Sequence, residues 1–164
     1  MIRAILAHDD NWGIGKDGTL PWPTNKDDLR WFKENTDNDI VVMGRKTWES
    51  LPIKPLPNRL NFVITSTNME QYNPRPHCTY SGENAGRIIK EIIDTRYKPY
   101  DTWIIGGAQL VESCLDVIDE LWLNNVGSDY DCDTFLPRDK ILDKFIAGNV
   151  EIKSFGTITK WVRK

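Results

Sequence analysis

Short runs of β-branched and aliphatic residues recur along the chain, and between them lie segments whose apolar positions return every three or four residues. The continuous runs at residues 2–7, 40–43, 60–65, 102–105 and 121–126 predict strands, several of them apolar enough to be buried on both faces. The helical period predicts helices over 26–34, 46–50, 85–94 and 109–118. Strands alternating with helices predict a mostly parallel sheet with crossover helices. The end of the chain differs: 150–154 and 157–162, joined around Phe155-Gly156, predict an antiparallel hairpin closing one sheet edge. No repeat or low-complexity tract divides the sequence. The proline-rich stretch 52–57 predicts a rigid loop, so residues 1–164 are expected to form one domain.

Composition narrows the class. Of 164 residues, 40% are hydrophobic and 27% charged, the usage of an ordinary globular domain able to fold on its own core. The formal net charge of −3 argues against a general polyanion binder, and no nucleic-acid partner is expected. Three scattered cysteines, Cys78, Cys114 and Cys132, suggest neither a disulfide framework nor a zinc site, which suits a reducing cytoplasm. The opening residues turn acidic too early for a signal peptide, and no apolar run approaches a membrane span, so a soluble intracellular protein is expected.

Chemistry concentrates where strands give way to helices. The segment 8–24 carries Gly13, Gly15 and Gly18 and ends in Leu20-Pro21-Trp22-Pro23, a connection long enough to be a lid or binding loop, although by itself it reads more readily as a plain glycine-bearing surface loop. Trp12 and Trp22 weigh against the plain loop, because large aromatics in a loop usually cover something. Asn25 is placed to cap the next helix, and Asp27 and Asp28 both suit its positive end. Helical rotation separates the two: the arc of Leu29, Trp31 and Phe32 is centred near Asp28. A carboxylate on an apolar wall needs a partner, and a heterocycle edge with paired N–H groups supplies one. Farther on, Gly44 precedes Arg45 and Lys46 at a helix start, where cations are disfavoured unless an anion such as phosphate binds, and the pair reads equally as a solvated Arg-Lys pair. Thr65 and Ser66 offer hydroxyls at the next strand end, and Gly106-Gly107 allows close approach of backbone to a ligand. Arg59, alone, reads equally as a surface charge or a carboxylate receptor. No nucleophile motif surrounds His8 or His77, and no acid cluster suggests a metal.

Taken in order, Trp12-Gly13-Ile14-Gly15, Leu20-Pro21-Trp22, Asp28-Leu29-Arg30-Trp31-Phe32, the run from Met43 to Ser50, Pro55-Leu56-Pro57-Asn58-Arg59 and Ile104-Ile105-Gly106-Gly107 closely resemble the dihydrofolate reductase family. The resemblance spans nearly the whole chain. It implies an α/β fold with a central eight-stranded, mostly parallel twisted sheet, an antiparallel C-terminal hairpin and four flanking helices. It further implies a monomeric, cytoplasmic, NADPH-dependent oxidoreductase that reduces 7,8-dihydrofolate to 5,6,7,8-tetrahydrofolate, serves one-carbon metabolism and thymidylate synthesis, and binds antifolate inhibitors. In that pattern Asp28 bonds the 2-amino and N3 edge of the pterin, Trp22 orients a water, and Leu20 on the lid controls solvent entry. Ile5 and Ile105 offer carbonyls to the pterin, Leu29, Phe32 and Leu51 pack on its rings, Asn124 backs Asp28, and Arg59 pairs with the glutamate tail. The cofactor would meet Ala7, Ile14, Gly106, Gly107 and Ala108, with Gly44, Arg45, Lys46, Thr47, Thr65, Ser66 and Gln109 toward its phosphates.

Four positions depart from the family pattern. Asn124 stands where a threonine is usual, Val111 where a tyrosine is common, Gln109 where some members carry a basic residue, and Cys132 where some bacterial members have glycine. Two other readings share these features: a related pterin or pyrimidine reductase, which would have no use for Arg59, and a nucleotide-binding protein without turnover, which would have none for Asp28 and Trp22.

Overall fold

The computed structural model describes residues 1–81, 84–95, 97 and 99–164. In chain order the first half contains β1 (Ile2–His8), β2 (Gly13–Gly15), α1 (Lys26–Thr36), β3 (Ile40–Gly44), α2 (Arg45–Ser50), β4 (Leu60–Ile64) and β5 (Cys78–Tyr80). The second half contains α3 (Ala85–Thr95), β6 (Thr102–Ile104), α4 (Ala108–Cys114), β7 (Glu120–Asn125), β8 (Thr134–Phe135), α5 (Arg138–Lys144), β9 (Phe145–Lys153) and β10 (Gly156–Arg163).

Eight strands form one sheet in the order β5-β4-β3-β6-β1-β7-β10-β9. All neighbours from β5 to β7 are parallel, and β10 and β9 close the far edge as the antiparallel hairpin. Parallel strands buried on both faces explain the unbroken apolar runs. One face carries Ala4, Ile40, Val42, Phe62, Ile104, Leu121 and Leu123 under α3 and α4; the other carries Ile5, Val41, Met43, Val63 and Trp103 under α1 and α2. Alternation along each strand assigns the faces, so Ile5, Ala7 and Asn124 look toward α1.

The structure adds elements that periodicity did not supply. Five helices are present among the described residues, one more than the resemblance implies. The extra one, α5, follows Pro137 and buries Ile141 alone, too little for a hydrophobic stripe. Strand β5 is three residues long, and β9 begins at Phe145, five residues before the predicted start. Its residues 146–150 are exposed, so no burial pattern marks them as strand. The helix predicted at 109–118 is α4, which ends at Cys114 and gives way to turns closed by Val117 and Ile118 N–H groups donating to Cys114 O.

The long loop after β1 is largely structured. β2 pairs antiparallel with β8, and the root of this small sheet is laced by Asp9. This carboxylate is wholly buried and accepts from the backbone N–H groups of Asn11, Gly13 and Tyr130 at 2.9, 2.8 and 3.1 Å. Burial alone would raise the Asp9 pKa, but those three N–H groups and the Cys132 thiol reverse the sign and hold it below the ordinary carboxylate range. Trp12 stacks on His8 at 5.1 Å and tilts against Trp161 at 5.6 Å, so it covers core rather than a ligand site. The segment beyond β2 is tied down by Lys16 Nζ on Asp131 at 3.0 Å and by the Asp17 N–H on Asp133 Oδ2 at 2.9 Å.

Candidate active site

The parallel register gathers the predicted site residues at the carboxyl ends of the strands, where open α/β sheets bind ligands. Gly44 pairs with Ile64, which sets Arg45 and Thr65 side by side, and the Gly44 N–H donates to Gly106 O at 2.9 Å. α2 and α4 therefore start next to each other. Neither has a side-chain cap or an acidic residue in its first turn, so their leading N–H groups are left for another acceptor. Gly106 has φ +125°, a conformation that glycine adopts freely, and a Cβ added there would meet Thr47 and Leu6 at ordinary contact distances. Ala108 opens α4, Gln109 is exposed, and Val111 is fully buried in the core.

Around this anion-seeking corner the cations differ. Arg45 Nη1 is 2.8 Å from Glu49 Oε1, which also accepts from the Tyr72 hydroxyl at 2.9 Å. Lys46 and Ser66 are exposed, and Thr65 Oγ1 accepts from the Thr67 N–H. The pair Arg45–Glu49 is a solvent-exposed ion pair, weakly held because water screens it, so Arg45 is not committed to Glu49.

Asp28 occupies the other end of the strand row. Asn25 caps α1 by accepting from the Asp27 and Asp28 N–H groups at 2.9 and 3.2 Å, which places both acids in the first turn. Asp27 turns outward toward Arg30, whereas Asp28 is half-buried and accepts from Asn124 Nδ2 at 3.1 Å. Burial raises the Asp28 pKa above the ordinary carboxylate value, and the Asn124 bond offsets only part of that rise. Asn124 itself is fully buried on β7, opposite Ala7, with its Oδ1 accepting no hydrogen bond among the described residues. It also lies against Phe155 O and the Cα of Gly156, so the β9–β10 turn forms the wall behind Asp28.

Asp28 and Trp22 share an open cleft of about 450 Å³ with Asn25, Tyr130 and Phe155. Trp22 meets Tyr130 edge-on at 5.6 Å, and Leu20 beside it is 62% exposed. Ile5 is buried, while Ala7, Ile14 and Ile105 are half-buried. Phe32 and Leu51 lie at the fringe of the α1-side core, each with surface to spare. Leu29 stands apart from that core and is 54% exposed.

Arg59 is the least expected member. It is only 7% exposed, yet no carboxylate lies within ion-pair distance of it among the described residues. Burial lowers its pKa, and the more distant charge of Asp37 opposes this. The surface-charge alternative is thereby set aside. Asp9, Thr36 and Asn61, which shape the loops around these groups, were not singled out from sequence. For Asp9 a signal existed: an acid directly after an apolar strand and before Asn-Trp-Gly is a turn former that bonds backbone two residues on. Among the described residues no cluster of His, Cys, Asp or Glu is placed to hold a metal, and no helix is long and apolar enough to cross a membrane.

Known proteins resemble this chain in sequence and in fold. The family model described as dihydrofolate reductase matches residues 1–148. A dihydrofolate reductase of Bacillus subtilis is 36% identical over 138 residues, covering 84% of this chain and 76% of that protein. A bifunctional dihydrofolate reductase-thymidylate synthase of Glycine max is 35% identical over 153 residues, 82% of this chain but only 28% of the longer protein. The solved structure of dihydrofolate reductase from Enterococcus faecalis, complexed with NADP(H) and RAB-propyl, superposes with a TM-score of 0.79 at 27% identity, over 100% of this chain and 96% of that one. By sequence and by fold, this chain belongs to the dihydrofolate reductase family.

Proposed function

We propose that the chain reduces 7,8-dihydrofolate to 5,6,7,8-tetrahydrofolate with NADPH, by hydride transfer to C6 and protonation of N5 from solvent. The observation that carries this reading is Asp28, a half-buried carboxylate of raised proton affinity beside the open ends of β1 and β7. NADPH, when bound, supplies the hydride. The protein supplies alignment, dehydration and charge. Asp28 would accept the paired N–H groups of the pterin's 2-amino and N3 edge, and its negative charge would favour a proton at N5. Ile5 and Ile105 would offer carbonyls to the pterin amino group, and Leu29, Phe32 and Leu51 would cover its rings. Trp22 would orient the water that donates, and the exposed Leu20 would fold over the ring and limit how much solvent follows.

For the cofactor, Ala7, Ile14 and the Gly106-Gly107 turn would face the nicotinamide end. The uncapped starts of α2 and α4 suit its phosphates, with Ala108 and Thr47 at their first turns. Arg45, Lys46, Thr65 and Ser66 would surround the adenosine 2′-phosphate, with Gly44 and Gln109 adjacent. NADPH should therefore be preferred over NADH, and Arg45→Ala should narrow that preference about ten-fold, the loss of one charge-assisted contact. Equal use of the two cofactors by the unaltered protein would refute the phosphate assignment. The proposal extends to a monomeric, cytoplasmic enzyme of one-carbon metabolism that antifolates inhibit.

The deciding experiment mixes purified protein with dihydrofolate and NADPH and follows the loss of near-ultraviolet NADPH absorbance. Turnover is expected. Binding of both ligands without oxidation of NADPH would favour a nucleotide-binding protein without turnover instead.

A further inference from the structure

Arg59 is held from two directions. Its Nε donates to Pro57 O at 2.8 Å and its Nη1 to Thr36 Oγ1 at 3.1 Å, while Nη2 donates to no protein acceptor among the described residues. The Thr36 hydroxyl has one proton, and it goes to Phe32 O at 2.9 Å, so an oxygen lone pair is left facing the guanidinium. Thr36 is itself fully buried in the last turn of α1, and the Phe32 ring lies 5.9 Å from the guanidinium carbon. With Nε and Nη1 both engaged, the planar head cannot turn about its stem, and its remaining donors point one way.

The backbone that carries Arg59 is fixed from the sheet. Asn61, on β4 and fully buried, pairs with Leu56 in both directions: the Leu56 N–H donates to its Oδ1 at 2.8 Å and its Nδ2 donates to Leu56 O at 3.0 Å. The same Nδ2 donates to Arg59 O at 3.1 Å, and the Asn61 N–H ends on His77 Nδ1 at 2.9 Å. The turn inside this clamp includes Asn58 at φ +60°. A loop laced to a strand and a side chain laced to a helix leave the guanidinium almost no freedom, although no carboxylate lies within ion-pair distance of it among the described residues.

We propose that Thr36 and Asn61 are positioning residues for a carboxylate at the far end of the substrate, acting through Arg59 to set how strongly a glutamate-tailed pterin is preferred over a tail-less one. This rests on the reading of the chain as a dihydrofolate reductase. A two-pronged contact depends on the angle of the fork, so releasing one prong's anchor weakens binding while leaving the reacting ring in place.

The test is steady-state kinetics with dihydrofolate and with a dihydropterin that lacks the glutamate tail. Thr36→Val keeps the volume and removes the acceptor. It should raise KM for dihydrofolate about five-fold, change kcat less than about two-fold, and leave the tail-less substrate unaffected. Thr36→Ser, which restores the hydroxyl, should behave as the unaltered protein. Asn61→Asp, which keeps the acceptor for Leu56 but loses both Nδ2 donors, should show the same split if it folds. In an Arg59→Leu background, where KM for dihydrofolate is already raised about ten-fold or more, Thr36→Val should add nothing. An equal effect on both substrates, or an undiminished effect without Arg59, would overturn the proposal. If Arg59→Leu itself left the preference for the tailed substrate unchanged, the carboxylate reading of Arg59 would fall, independently of Thr36.

Discussion

Asp28→Asn will lower kcat/KM for dihydrofolate about a hundred-fold or more near neutral pH, and much less in acid. An amide keeps the shape and can still accept from Asn124, so positioning survives. What is lost is the negative charge that favours a proton at N5. In acid, solvent protonates the substrate without help and the variant recovers. Stability should move the opposite way. Burial raises the folded-state pKa of Asp28 above its unfolded value, so the native state is penalised at pH above the folded pKa, and the penalty fades as pH falls through it toward the unfolded value. Asparagine carries no such penalty, so the variant should melt at a higher temperature than the parent at neutral pH and lose that advantage in acid. Thermal scans and pH–rate profiles of the two proteins check both halves. A loss of activity equal at every pH would remove the electrostatic role.

Gly156→Ala is expected to cost about 3 kcal/mol or more in stability, with most of the activity. Gly156 adopts φ +151°, and a Cβ there would collide with Asn124 Oδ1 and lie 2.6 Å from Asn125 O. The second obstacle is backbone of β7 and cannot swing aside. The first is the amide whose other end holds Asp28, so whatever relieves the clash also displaces the carboxylate. Chemical denaturation measures the stability change. A pH–rate profile of the surviving fraction should show the Asp28-dependent limb moved to higher pH, because the Asn124 bond that restrains the carboxyl is loosened. Tolerance of alanine with unchanged kinetics would mean that the β9–β10 turn does not brace the site.

These two cases differ in how far sequence could reach. Asp28 was legible because a helix cap and an apolar arc fix its direction within a single turn. The strands of the parallel sheet were legible for a similar reason: burial on both faces leaves an unbroken apolar run. Gly156 was read only as part of a turn, because the need for glycine arises from the side chain on β7 it meets, 32 positions earlier in the chain, and no local pattern encodes that encounter. Arg59 shows the same limit. Its loop was visible from prolines, but the burial of its charge depends on Thr36 and Asn61, which come from a helix and a strand that only the tertiary fold brings together. Trp12 shows the converse: a loop tryptophan is expected to cover something, and what it covers is the core, because the chain after it makes a strand, β2, that pairs with β8.

The lacing at Asp9 gives the molecule two carboxylates that answer acid in opposite senses. Asp28 is relieved when it takes up a proton. Asp9 is not: its folded-state pKa lies below the unfolded value, so the stability it provides is complete above the unfolded pKa and drains away as pH falls through the folded one. Protonation would turn an acceptor of three backbone N–H groups into a partial donor and loosen the junction of β1, β2 and the loop at Tyr130, against which Trp22 rests. On acidification Asp28 is thus expected to take up its proton before Asp9 does, so the loop root should stay laced through the titration of Asp28 and loosen only at lower pH.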